Sequence, residues 1–370
     1  MIQTLNDRAL GRALLARQHL LERTRLSARE VIEHLVVLQA QVPIDPYVAL
    51  WTRIQDLDPR EPSGLLERRE TVRAPLHRAT IHLATADDAL ALYPLIRPVL
   101  DRMYRSGSPF GRILAAEGTD PAVAMTLASE LMAERPRTRA ELRDVFAERF
   151  PTADSSALSY AATLLLPLVQ ATPRGLWQRP GVPAFARLDA WLGRAIPETG
   201  DIDGLVLRYL GAFGPASALD MQAWCGLTRL GPVFERLRPG LVTFRAPSGR
   251  ELFDLPHAPR PDPDTPAPVR FLPQYDDIGL GHADRSRIIP AAMVARPYTQ
   301  LWVGSFLVDG LSSGLWRIED RASPIRMELE VVRAIAAADR DELGAEAERL
   351  IAFLRPGLDR KSVEFVDRIP

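Results

Sequence analysis

Three times along this chain a capping residue followed three positions later by an acid opens a helix, and each time a turn-punctuated strand pair comes after it. The boxes are Ser27 with Glu30, Thr138 with Glu141, and Ser217 with Asp220. In such a box the two residues satisfy each other's unpaired N–H groups, so a helix start is marked by local chemistry alone. The strand pairs are Thr71 to Thr85, the stretch 171–189 punctuated by Gly and Pro, and residues 241–255 folded around Pro247-Ser248-Gly249-Arg250. Helices followed by a strand pair are the order of a winged helix. The pattern therefore predicts three tandem winged-helix units in an α+β, mainly α chain.

Helices are expected from Thr4 to Arg17, from Ser27 through Leu38 into Gln39, after Asp45-Pro46 with Trp51 aboard, and from Ala86 past Tyr104. The second unit carries helices after Thr138 and over Ser155 to Gln170, and the third over Asp203 to Phe213, after Ser217, and over Thr228 to Leu237. The stretch His257 to Pro268 is too rich in proline for helix or ladder strand. Beyond it strand-like runs, a turn at Asp309-Gly310 and a closing helix from Arg340 to Leu354 read as a small β-rich domain. The expected boundaries are 1–130, 131–199, 200–256 and 269–370.

Composition excludes several chemistries. The 370 residues include one cysteine, Cys225, so neither an internal disulfide framework nor a cysteine zinc cluster is available. Six scattered histidines make metal catalysis unexpected, and no metal or other cofactor is expected. No apolar run is long enough to span a bilayer and the N-terminus has no apolar leader, so a cytoplasmic protein with no membrane partner is expected. No phosphate-binding loop, dinucleotide fingerprint or serine elbow occurs. The net charge is −1, yet of 46 basic residues only Lys361 is lysine. Arginine is the side chain suited to bidentate phosphate contact, although a GC-rich genome would produce the same bias.

The string Leu38-Gln39-Ala40-Gln41-Val42-Pro43 ends the second expected helix. Residues two apart on a helix point about 200° from each other. Gln39 and Gln41 can converge on one target only where the helix unwinds, and Pro43 demands that it stop.

This string, followed by the Trp51 helix, then His77 to Leu83 (HRATIHL), Leu272 to Pro290 (LPQYDDIGLGHADRSRIIP) and Phe306 to Arg317 (FLVDGLSSGLWR), resembles the winged-helix DNA glycosylases typified by AlkZ and YcaQ. The resemblance runs through nearly the whole chain in order, and the Q-A-Q form is most similar to the AlkZ branch. It implies three winged helices and a C-terminal β domain in a C-shape around a DNA channel. It also implies removal of N7-alkylated guanine, interstrand crosslinks included, with resistance to a DNA-alkylating toxin. Gln39 and Gln41 match the family's catalytic pair. The implied partner is double-stranded DNA carrying alkylated guanine, bound by a monomer.

A glutamine amide does not titrate, so it suits only a bond already primed to break. N7-alkylguanine is cationic, and the enzyme then needs to orient a water beneath C1′ and place amide oxygens where oxocarbenium charge develops. A lone lysine near the C-terminus is a poor Schiff-base nucleophile, which predicts a glycosylase without lyase activity.

Further DNA-contacting candidates are His282, Arg285 and Arg287, with a local turn as the plain alternative. Arg78, Thr80 and His82 are expected on one face of the first hairpin, and Arg174 and Arg179 on the second. Trp51, Trp191, Trp224, Trp302 and Trp316 are expected in the core, as is Trp177, and His34 is expected at the surface or as a local cap. A non-catalytic winged-helix regulator and a protein that sequesters the toxin itself are the alternative readings.

Overall fold

The computed structural model describes residues 2–294, 304–319, 325–357 and 361–367. Its strands are β1 (Leu38–Gln39), β2 (Thr71–Pro75), β3 (Ile81–Thr85), β4 (Arg137–Thr138), β5 (Leu168–Gln170), β6 (Ala184–Arg187), β7 (Val242–Arg245), β8 (Glu251–Asp254), β9 (Arg270–Pro273), β10 (Gly304–Val308), β11 (Leu311–Glu319), β12 (Ile325–Val331) and β13 (Lys361–Asp367).

All three boxes form, with the Ser27, Thr138 and Ser217 side chains each engaged by the acid three residues on. Two expected strand pairs are present as β2–β3 and β7–β8. The second pair, β5–β6, starts before the expected stretch, because the helix expected to reach Gln170 stops at Leu165, ahead of Pro167, and Leu168–Gln170 forms β5 instead. Their arrangement was not foreseeable. The first two pairs share one six-stranded sheet, in the order β1-β3-β2-β5-β6-β4, joined where Arg73 of β2 lies opposite Gln170 of β5. The third pair stands alone.

The C-terminal sheet runs β13-β12-β11-β10-β9. The turn at Asp309-Gly310 forms with both residues in the left-handed region, at φ 49° and 77°, as a tight hairpin requires. The closing helix spans Ala337–Leu354, three residues longer at its start than expected. Strand β13 was missed by the sequence reading. It pairs in parallel with β12, and parallel partners come from distant chain with no local turn to announce them.

The main core joins the first and third units through Val31, Ile32, Leu35, Tyr209, Phe213 and Trp224. Each such aliphatic side chain contributes about 1.5–3 kcal/mol on full burial. A second core lies between the C-terminal sheet and the helix Ala337–Leu354, and a third within the helices of residues 114–162. Trp224 and Trp316 are fully buried; Trp51, Trp177 and Trp191 are half-buried, and Trp302 lies outside the described residues.

The helix opened by Ser27 spans Ala28–Leu35 and does not reach Gln39. Val36 stops it at φ 71°, a region that a β-branched residue rarely occupies. Val37 follows, and Leu38 and Gln39 then form β1, all buried. Periodicity extended the helix because Val31, Ile32, Leu35 and Leu38 fall at helical spacing, but Leu38 instead pairs with Leu83 of β3.

Candidate active site

Strand β1 is the outer strand of its sheet, with Gln39 opposite His82 of β3. The strand ends at Gln39; Ala40 follows into the core, and Gln41 lies in the bend just beyond it. Both side chains reach toward the hairpin turn and the start of β3, Gln39 bonding Thr80 and Gln41 the Ile81 N–H, from a strand end and a bend and not from a frayed helix end. Ala40 is fully buried. Its N–H donates to the Ile81 carbonyl at 2.8 Å, and its carbonyl accepts from Arg73 Nη2 at 2.6 Å. The residue between the glutamines is therefore clamped through its backbone.

Gln39 is buried, and its carboxamide is held at both ends. Oε1 accepts from Arg78 Nη2 at 3.0 Å, and Nε2 donates to Thr80 Oγ1 at 3.2 Å. Because a guanidinium only donates, this pairing sets which end of the amide is oxygen. Gln41 is exposed, and its Oε1 accepts from the Ile81 N–H at 3.2 Å. One glutamine is thus fixed inside and the other stands at the rim.

Arg78 reaches Gln39 from a strained turn. It and Ala79 lie between β2 and β3 at φ 54° and 60°, a conformation disfavoured for residues with a Cβ and one that persists where surrounding structure imposes it. Arg78 Nη1 also donates to the Trp224 carbonyl, which ties the turn to the third unit. Arg78 and Thr80 belong to this turn rather than to a strand, so the expected strand alternation does not apply to them.

From the opposite side come Asp276 and Asp277, which the sequence reading did not single out. Asp276 forms a bidentate pair with buried Arg53, at 2.7 and 2.8 Å, and fixes its loop. Asp277 then accepts the Gln39 backbone N–H through Oδ2 at 3.2 Å, the group left unpaired at the sheet edge. Its Oδ1 lies 3.5 Å from Arg78 Nη2 and has no hydrogen-bond partner. Burial, opposed by Arg78, raises the Asp277 carboxyl to about 6. The only available signal was the adjacent acid pair in Tyr275-Asp276-Asp277, flanked by apolar residues.

A deeper acid lies nearby in charge terms. Asp45, first residue of the helix Asp45–Trp51, is buried with both carboxylate oxygens unpartnered. Burial, with Asp276 adding to it and Arg73 opposing, raises its carboxyl to about 8.

Several expected contacts are corrected. His82 is buried with Nδ1 against the Thr80 carbonyl at 2.9 Å, and burial pushes it down to about 3. His282 is buried against the Phe213 carbonyl at 2.9 Å, and burial with nearby Arg287 lowers it likewise to about 3. Arg287 is buried and donates to the Pro215 carbonyl at 2.9 Å. These three are internal groups, each bonded to a backbone carbonyl and none at the surface. Arg174 is half-buried and donates to the Gly181 carbonyl of its own loop at 2.9 Å. Arg285 and Arg179 are exposed. His34 is half-buried with Nε2 at 2.7 Å from the Arg17 carbonyl at the end of the first helix, so it neither faces solvent nor caps its own helix. Among the described residues no cluster of three or more His, Cys, Asp or Glu is placed to hold a metal ion, and no helix is long and apolar enough to cross a membrane.

The α+β fold thus presents one carboxamide held at both ends from a sheet edge, with a second, exposed, two residues on. Residues 32–353 match the AlkZ-like DNA glycosylase family, and the chain belongs to it. The DNA glycosylase AlkZ of Streptomyces sahachiroi shares its fold, with a TM-score of 0.73 at 20% identity over 98% of this chain and 100% of that one. No curated protein matches the chain. Membership sets aside the regulator and toxin-sequestering readings.

Proposed function

We propose that this DNA glycosylase hydrolyses the N-glycosidic bond of cationic N7-alkylguanine in duplex DNA, including guanine held in an interstrand crosslink, and does not cut the backbone. The observation that carries the reading is the clamped segment Gln39-Ala40-Gln41, whose inner carboxamide is fixed by Arg78 and Thr80. Preorganised polar groups of this kind are typically worth ~3–4 kcal/mol of barrier, enough for a bond that is already activated.

Water adds to C1′ as the C1′–N9 bond breaks; the positive charge of the adduct is discharged when the base leaves neutral. The water's second proton passes to solvent, for which Gln41 at the exposed rim provides an open route. The remaining lone pair of Gln39 Oε1 faces the developing oxocarbenium charge, and Gln41 orients the water. An exposed catalytic group also suits a crosslinked guanine, whose tether prevents it from swinging into a deep pocket. The duplex is expected along a C-shaped channel entered from the Gln41 side, met there by a monomer, with Arg179 and Arg285 as phosphate contacts. The absence of lyase activity is supported by Lys361, whose ammonium donates to the Glu348 carbonyl beside β13. In the cell this chemistry would relieve a DNA-alkylating toxin.

The test is release of free base from a duplex carrying one N7-methylguanine. Wild type releases the base and leaves an intact abasic strand, while Gln39→Ala and Gln41→Ala bind but release poorly. Release of uracil or neutral adenine lesions at a similar rate would count against the reading, because those leaving groups require acid assistance.

A further inference from the structure

Arg78 poses an electrostatic difficulty. It is the group that locks Gln39, yet it is a permanent cation beside a site whose substrate and transition state are both cationic. An uncompensated guanidinium there would raise the barrier through repulsion that low-dielectric surroundings amplify.

We propose that Asp277 is a positioning residue whose carboxylate neutralises Arg78 beneath Gln39, so that the guanidinium orients the carboxamide without repelling the cationic substrate. The inference rests on the glycosylase reading of the same site. Its basis is a closed ring of contacts. Gln39 N–H meets Asp277 Oδ2 at 3.2 Å, Asp277 Oδ1 lies 3.5 Å from Arg78 Nη2, and that nitrogen donates to Gln39 Oε1 at 3.0 Å. Both the backbone and the side chain of Gln39 are held by one ion pair. The pair is also an unusual one. Asp277 is buried and its Oδ1 lacks any hydrogen bond, whereas its neighbour Asp276 is fully engaged by Arg53. A carboxylate placed only to secure the loop would not keep an oxygen free toward Arg78, since leaving a buried acceptor unpaired is costly.

The groups that face Asp277 are Arg78 from the hairpin turn, Arg53 from the end of the helix Asp45–Trp51, Asp276 from its own loop and the Gln39 N–H from β1. The ionised carboxylate is the working form. It is present at neutral pH and lost as pH falls through about 6, so base release declines over that range.

The experiment is single-turnover release of N7-methylguanine at saturating enzyme from pH 5 to 8, with wild type, Asp277→Asn, Arg78→Gln and the double variant. Asparagine keeps an acceptor for the Gln39 N–H and removes only the charge. Asp277→Asn is expected to slow release about thirtyfold at pH 7.5 and to abolish the acid decline, and Arg78→Gln to slow it about tenfold. In the double variant the Asp277 change should cost almost nothing further, leaving it about tenfold below wild type and so faster than Asp277→Asn alone. Additive losses, or a wild-type profile flat down to pH 5, would overturn the inference; the wild-type profile decides even if a variant fails to fold. Absence of release by wild type at every pH would sink the glycosylase reading and this inference with it, whereas ordinary wild-type release with additive losses would sink the inference alone.

Discussion

Two arginine–aspartate pairs built on buried aspartates in this molecule do opposite things. Arg17 and Asp254 join the first helix to the third hairpin by two parallel bonds of 2.7 and 2.9 Å. Asp254 also accepts from Arg260 at 2.5 Å and from the Leu255 N–H at 2.8 Å, and Arg17 donates to the Leu210 carbonyl at 2.8 Å. That pair has its polar atoms engaged. Arg78 and Asp277 meet at 3.5 Å with one carboxylate oxygen unbonded, and Arg78 stands on left-handed backbone. The difference separates a rivet from a poised site: full engagement secures a fold, while unused bonding capacity and strain persist where something else is to be held.

The largest effect should come from breaking the rivet. Asp254→Ala leaves Arg17 buried without its counter-ion and should cost about 3–5 kcal/mol of stability, read from urea unfolding. A loss under about 1 kcal/mol would erase the distinction between the two pairs. Next, Gln39→Ala should lower base release about a hundredfold, near 3 kcal/mol of barrier, with little change in the unfolding midpoint. If unfolding shifts as far as activity, Gln39 belongs with the rivets.

Asp45 offers an intermediate test, since it is an unpartnered carboxyl kept largely neutral by burial. Its folded value, about 8, lies above the ordinary 3.8. Between those values the folded state binds the extra proton, so its stabilising effect is complete below about pH 4 and is lost as pH rises through 8. Relative to Asp45→Asn, wild type should therefore lose on the order of 2 kcal/mol between pH 4 and pH 9, after allowance for relaxation around the buried charge. Parallel stability curves for the two proteins would refute this. The smallest effect is expected at the surface, where Arg179→Ala should weaken DNA binding by under about 1 kcal/mol and reduce the salt slope by about one. An unchanged slope would remove Arg179 from the DNA-contacting face.

What could be read from the sequence was what neighbouring residues decide. The three capping boxes specified helix starts because donor and acceptor lie three residues apart, and the strand pairs were legible from alternation and their turn residues. The glutamine pair was legible as a motif, but its conformation was not. Leu38 and Gln39 fit a helix as well as a strand until β3, more than forty residues later, offers an edge. His282 and Arg287 looked like surface groups because charge and polarity suggest exposure, yet each finds a carbonyl partner about seventy residues away.

By itself, then, the sequence determined the capped helix starts, the family and the two carboxamides, all of which depend on residue type and short spacing. Only the tertiary structure decided that Gln39 lies buried on a strand with Gln41 exposed beyond it, that Arg78 reaches Gln39 from a strained turn, and that Asp277 closes the ring from a segment 238 residues away. Those outcomes depend on which distant backbone donors and charges are left unpaired when the cores close, and that is a property of the assembled molecule.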